Sequence, residues 1–216
     1  MNDLLPAFCN DPKRGYDIAG FQQKSLKPIQ NVDAENFIKG LDAGLVQVDG
    51  NMYRARRSSA REQLFTEGWK SNTPRRITVW AESVIIIATL ARLHFSYSWP
   101  ADLLGTQSRD GAFDIMTFVP PDFANEFIAC EVKKSTRELA KLIQWMNEFG
   151  AEPSRKFKND AEENAFNKVV GLRLRHAPIF WAVGPGGTGT VFKVSYTEDG
   201  QVNFEEAPLT VLQYAY

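Results

Sequence analysis

Residues that most often announce chemistry are scarce in this sequence. It holds two cysteines and two histidines among 216 residues. Cys9 and Cys130 stand far apart, as do His94 and His176, which argues against a disulfide framework, a thiolate metal site or a histidine-metal constellation. A reducing compartment is the expectation. Charge of either sign in excess is also missing: 25 Lys and Arg oppose 26 Asp and Glu, for a formal net charge of -1. No global basic field attracts nucleic acid, so any such binding rests on local patches. The longest mainly apolar run, Val84 to Ala91, is far too short to span a bilayer, and no basic amino end precedes an apolar stretch. The expectation is a cytoplasmic protein with no membrane partner. No Gly-Lys-Ser or Gly-Lys-Thr phosphate loop and no Gly-x-Ser-x-Gly elbow occurs. The run Gly184-Pro185-Gly186-Gly187-Thr188-Gly189 does match Gly-x-Gly-x-x-Gly. A dinucleotide site needs a helix after that loop, whereas Val191 to Val194 reads as a strand, so the loop is read as a turn.

What is present is enough chain for one good core, and a pair of strand-like runs around which the rest is arranged. Gly111 to Phe118 and Phe127 to Lys133 are rich in Ile, Phe, Val and Thr, with Pro120-Pro121-Asp122 and Ala124-Asn125 as the turn between them. Side chains alternate along a strand, so Glu131 and Lys133 share one face while Cys130 and Val132 take the other. An antiparallel partner could bring Asp114 alongside. Two carboxylates and an ammonium can hold a hard dication and offset phosphate charge, although charged residues on a strand most often simply face water. Ser135-Thr136-Arg137-Glu138 has capping-box spacing, so a helix follows the charges directly.

Asp114 followed by Glu131-Val132-Lys133, with a helix expected on each side, resembles the PD-(D/E)xK nuclease superfamily of restriction-endonuclease-like fold. Phe113 stands where the family name has Pro, and the resemblance covers Thr73 to Val194. It implies that Asp114 and Glu131 ligate Mg2+ or Mn2+ and that Lys133 positions the attacking water. Glu82 matches the glutamate that many members carry on the first core helix, reaching the metal. Gln144 matches a glutamine used on the second core helix in some branches.

The remaining segments supply the frame. Residues up to Asn31 read as a loosely structured arm, Asp33 to Asp42 as a helix with Asp33 as N-cap, and Leu45 to Tyr53 as a hairpin about Asp49-Gly50. Arg54, Arg56, Arg57 and Arg61, with Lys70, Arg75 and Arg76, make the most basic stretch, either a solvated face or a surface for backbone phosphates. From near Pro74, Val79, Glu82, Ile86, Leu90 and Leu93 recur at helical steps, which puts Glu82 on a buried stripe in need of a partner. The first core strand is expected within Phe95 to Gln107. Leu139, Leu142, Ile143 and Met146 mark one later helix, and Phe166, Val169, Val170 and Leu174 another. Pro178 to Val183, Thr190 to Tyr196 and a hairpin about Asp199-Gly200 close the chain.

The expected fold is α/β: a small mixed central sheet flanked by helices, restriction-endonuclease-like in its core, preceded by a helix-hairpin accessory unit. The division falls at residues 1–72 for the arm and accessory unit and 73–216 for the core. The expected function is metal-dependent hydrolysis of phosphodiester bonds in nucleic acid, above all DNA. The alternative is a catalytically silent module of the same fold that binds nucleic acid or protein. A homodimer is left open.

Overall fold

The computed structural model describes residues 26–67, 77–121 and 126–215. The expectations made for residues up to 25, for Lys70, Pro74, Arg75 and Arg76, and for Asp122, Ala124 and Asn125 in the turn between the two strand-like runs lie outside the described residues. The chain opens with helix α1 (Asn31–Asp42), which buries Ala34, Phe37 and Gly40. Its N-cap is Gln30, not Asp33. Asp33 sits three residues in, where its carboxylate accepts from the Gln30 backbone N–H at 3.1 Å. A carboxylate there also meets the positive end of the helix dipole. The hairpin follows as expected: β1 (Val46–Asp49) pairs antiparallel with β2 (Met52–Ala55), Asp49 opposite Met52, and Gly50 takes the left-handed conformation that the tight turn requires.

Two short strands come next, β3 (Glu62–Gln63) and β4 (Phe65–Glu67), and β4 pairs with β5 (Ile77–Val79). Val79 is therefore in a strand, and helix α2 (Ala81–Ser96) starts two residues later, after an extended Trp80. The β-branched run Ile77-Thr78-Val79 favours the pleated pairing over a helical turn. One consequence concerns Glu82, which lies in the first turn of α2 and is half-buried rather than on the buried stripe; the fully covered side begins at Ser83.

The central sheet has six strands. The first, β6 (Leu104–Thr106), is shorter than the span in which it was expected, because a 3-10 turn occupies Ala101–Leu103. Gly105 lies in it against the backbone of Arg57: a Cβ there would stand 2.8 Å from the Arg57 carbonyl oxygen. That approach, with Arg57 N–H donating to the Leu104 carbonyl, lays the end of the hairpin along the sheet. Next come β7 (Ile115–Phe118), β8 (Glu126–Val132), helices α3 (Thr136–Ala151) and α4 (Asp160–Arg175), then β9 (Ile179–Val183), β10 (Gly189–Tyr196) and β11 (Val202–Ala207). The spatial order is β11-β10-β9-β8-β7-β6. Every neighbouring pair is antiparallel except β8 and β9, which run parallel. A parallel neighbour needs a crossover, and α3 and α4 supply it.

Alternation along the strands divides the core. Ile115, Ile128, Cys130, Val132, Trp181 and Val183 pack with α1 and α2 on one face, while Ala129, Phe180, Ala182 and Phe192 pack with α3 and α4 on the other. Residues of the hairpin and of α1, such as Tyr53 and Phe37, belong to the first of these clusters. In α4 the buried positions are Glu162, Ala165, Lys168, Val169, Gly171 and Leu172, and Leu174 is 74% exposed. The expected stripe ending at Leu174 is thus rotated off the true one. The glycine-rich loop is a turn between two strands, as read: Gly186 N–H donates to Asp33 Oδ2 at 2.6 Å, beside the Arg92–Asp33 ion pair, also 2.6 Å. No helix among the described residues is long and apolar enough to cross a membrane.

At the far end of β8, Arg175 lies between Asp110 (2.8 Å) and Glu126 (3.0 Å). Burial pushes Glu126 up to about 7, against the pull of Arg175. Partial burial works the same way on Asp110, yet hydrogen bonds from Arg175, the Ala112 amide and Ser108 hold it down at about 2. The signs oppose each other. Asp110 contributes stability above its ordinary range that is lost as pH falls toward 2; Glu126 contributes stability in acid that is lost as pH rises from its ordinary range through about 7. Glu126→Gln should therefore raise the melting temperature at pH 8 and change it little at pH 4. An equal shift at both would remove the buried carboxylate from the explanation.

Candidate active site

The loop before β7 is shaped by its own polar groups. Ser108 N–H donates to the Phe113 carbonyl at 2.9 Å, Phe113 N–H donates to Ser108 Oγ at 2.9 Å, and Gly111 takes a positive φ of 71°. Gly111 to Asp114, expected as the first half of a strand, is a turn for this reason. It delivers Asp114 to the mouth of β7. The Asp114 N–H donates to the Cys130 carbonyl at 3.1 Å, and its own carbonyl accepts from Gln107 N–H at 3.0 Å. Its Oδ2 accepts from Val132 N–H at 2.7 Å. The register pairs Ile115 with Cys130, so Asp114 stands beside Glu131. Burial, and next the charge of Glu131, push the Asp114 carboxyl well above the usual carboxylate range.

Glu131 is 2% exposed. Such a carboxylate needs compensation, and it has two cations: Lys133 Nζ donates to Oε1 and Lys168 Nζ to Oε2, both at 2.6 Å. The sharing of one face by Glu131 and Lys133 is as the alternation requires, and Cys130 is buried on the other face as a free thiol. Lys133 lies just past β8, where its N–H donates to the Val183 carbonyl at 2.9 Å. Burial works against its charge, but Glu131, Asp114 and Glu82 together raise its pKa, so it remains an ammonium.

Glu82, from the first turn of α2, acts on this group by charge: it raises both Lys133 and Glu62. Glu62, on β3, is pushed up chiefly by burial and further by Glu131 and Glu82, and its Oε1 has no hydrogen-bond partner among the described residues. Three of the sequence-selected residues, Asp114, Glu131 and Lys133, thus meet at one place, and Glu82 lies near enough to act on Lys133 by charge without a bond to any of them. Glu62 and Lys168 were missed. Lys168 donates a second bond to the Ala112 carbonyl at 2.6 Å and lies 5.7 Å from the Phe113 ring centre. Its signal was partial: the helical period of α4 was legible, but the phase that buries Lys168 beside Ala165 and Val169 was not. Glu62 had no such signal, being surrounded in sequence by the basic stretch.

Other candidates lie elsewhere. Gln144 is exposed on α3 and donates to Glu148 at 2.9 Å. Arg54 reaches Gln47 at 3.4 Å and Arg61 pairs with Asp49 at 2.8 Å along the hairpin, both exposed. Arg56 and Arg57 line a groove further along.

Among the described residues no three His, Cys, Asp or Glu side chains are grouped tightly enough to hold a metal ion as they stand. The chemistry of the donors still suits a hard cation: Asp114 and Glu62 are crowded carboxylates with raised pKa values that form no ion pair among the described residues, where one buried Glu62 oxygen also lacks a hydrogen-bond partner. Part of the positive charge such a cluster calls for is supplied by Lys133 and Lys168. No family model, no curated protein and no solved structure matches the chain.

Proposed function

We propose that this chain is a divalent-cation-dependent nuclease of the PD-(D/E)xK type, hydrolysing phosphodiester bonds in nucleic acid and DNA in the first place. The observation that carries the reading is Asp114 beside Glu131, with Lys133 bonded to Glu131 at 2.6 Å. The succession of helix α2, strands β6 to β8, helices α3 and α4 and then strand β9 supports it, because helix, strands, helix, strand is the order the sequence resemblance implies. Asp114, Glu131 and either Glu62 or Glu82 would hold the ion. A bound Mg2+ or Mn2+ supplies Lewis acidity at a phosphoryl oxygen and a water of lowered pKa. Lys133, fixed as an ammonium, orients the attacking water and meets negative charge as it builds on the phosphate. Plasmid, linear duplex, single strands and RNA should be incubated with the protein in magnesium and in manganese. Cleavage of at least one is expected; none, with the fold intact, would tell against the reading.

A second reading has its own observation. Both Glu131 oxygens are already satisfied by lysines, a closed pairing suited to a silent module that keeps the fold and binds nucleic acid or protein. Titration calorimetry separates the two: the silent module gives no manganese heat that depends on Asp114 and Glu131.

A further inference from the structure

A groove of about 550 Å³ opens between the turn at Arg56 to Ser59 and the turn at Arg109 and Asp110, with Met116 and Phe118 also lining it. Its charge is lopsided. Arg56, Arg57, Arg109 and Arg175 all line it, against the carboxylates of Asp110 and Glu126. Arg175 spends its charge on both of those acids. Arg57 is braced, its Nε donating to the Asp102 carbonyl at 2.6 Å and its guanidinium lying 5.7 Å from the Phe118 ring centre. Arg56 and Arg109 are exposed and form no ion pair among the described residues. The surplus cations of the groove, Arg56 and Arg109, therefore stand on two different turns, and among the described residues the acids that line it, Asp110 and Glu126, are both engaged by Arg175.

Both turns run into the carboxylate cluster. Ser59 N–H donates to the Gln107 carbonyl at 3.2 Å, and three residues after Ser59 comes Glu62. On the other side Gln107 N–H donates to the Asp114 carbonyl at 3.0 Å. A cluster of carboxylates repels a polyanion, so a nucleic acid that reaches it needs cations next to it that are not already consumed.

We propose that this groove carries the phosphodiester backbone of a nucleic acid strand up to the Asp114–Glu131 cluster, with Arg56 and Arg109 taking successive phosphates. It rests on the nuclease reading for its destination, but binding in the groove is a separate property. Two cations held apart on different turns suit a chain of phosphates better than a single anion, which convergent donors would grip. Arg54 and Arg61, tied along the hairpin to Gln47 and Asp49, lie outside the groove and serve as the control.

The test measures affinity for fluorescent single-stranded DNA, duplex DNA and RNA of mixed sequence at several salt concentrations, without divalent ions. Arg56→Gln with Arg109→Gln should weaken the tightest of these by about 10-fold or more and lower the salt slope by about two units, at an unchanged melting temperature. Arg54→Gln with Arg61→Gln should leave affinity and slope as in the parent. The three probes decide which nucleic acid supplies the backbone. Equal losses in both pairs of variants, no loss in the groove pair, or no binding of any probe by the parent would each overturn the groove. Groove-dependent binding without cleavage in magnesium or manganese would instead uphold it and sink the nuclease reading alone.

Discussion

Lys133→Met should lower cleavage by about 10²-fold or more while manganese binding persists, on the order of losing one preorganised electrostatic donor. Lys133 is anchored by its backbone to Val183 and by its ammonium to Glu131 Oε1 at 2.6 Å, so its charge is already aimed at the group beside Asp114. Methionine keeps the length of the chain and removes only that charge. Glu131 retains Lys168 on Oε2, so the variant should fold, with a stability loss of about 1.5–3 kcal/mol for a charged hydrogen bond. Asp114, Glu131, Glu62 and Glu82 are unaltered, which is why the ion should still bind. Single-turnover cleavage, manganese calorimetry and a melting curve on the same preparation check the three parts together. If Lys133→Met cleaves as fast as the parent, the assignment of Lys133 fails whatever its stability. If neither protein cleaves and neither gives manganese heat, the silent module is the better account.

The largest loss of stability belongs to Lys168. Its side chain is 5% exposed and bonds Glu131 Oε2 at 2.6 Å and the Ala112 carbonyl at 2.6 Å. It ties α4 to β8 and to the turn that carries Asp114. Lys168→Met leaves a 2%-exposed carboxylate with one cation instead of two, and breaking a buried pair from one side costs about 3–5 kcal/mol. In a chain of this size that lowers the melting temperature by roughly 10 °C. Removing both charges should cost much less than the sum of the separate losses. In Glu131→Gln with Lys168→Met no buried carboxylate is left short of a cation, and Lys133, 22% exposed, still has the charges of Asp114 and Glu82 near it, so urea denaturation of the four proteins should give a large favourable coupling. Additive losses would mean that Lys168 contributes packing alone. Activity offers an independent readout, since the turn at Ala112 positions Asp114: Lys168→Met should lower kcat more than it raises KM for any substrate that the parent cleaves.

These residues differ in how far the sequence alone marks them. Glu131 and Lys133 sit within a strand whose two faces are set by the backbone alone, and the period of two put them together and set Cys130 and Val132 apart. The cap of α3 was equally local: Ser135 Oγ accepts from Glu138 N–H at 3.2 Å, as its spacing implied. The hairpin turns at Gly50 and Gly200 followed from residues that adopt positive φ at little cost. In each case the interaction spans a few positions, so neighbours in the chain decide it.

Residues brought in from a distance behaved differently. The helical period of α4 was legible, but its phase was not, since Phe166, Val170 and Leu174 are as apolar as Ala165 and Leu172; only packing against α3 and Phe113 chose the side that buries Lys168. Glu82 shifted from an expected buried stripe to a half-buried first turn because β5 claimed Val79 by pairing with β4. Glu62 entered the cluster, and Arg56 and Arg57 came to line one groove with Arg109, through the contact of the hairpin with β6 at Gly105. By itself, then, the sequence determined the first hairpin, the long helices and the inner strands of the central sheet and which side chains share a strand face, because those follow from backbone geometry over a few residues. The tertiary structure alone decided which charges pair, since a carboxylate's partner is whichever cation the packing of remote elements brings within reach.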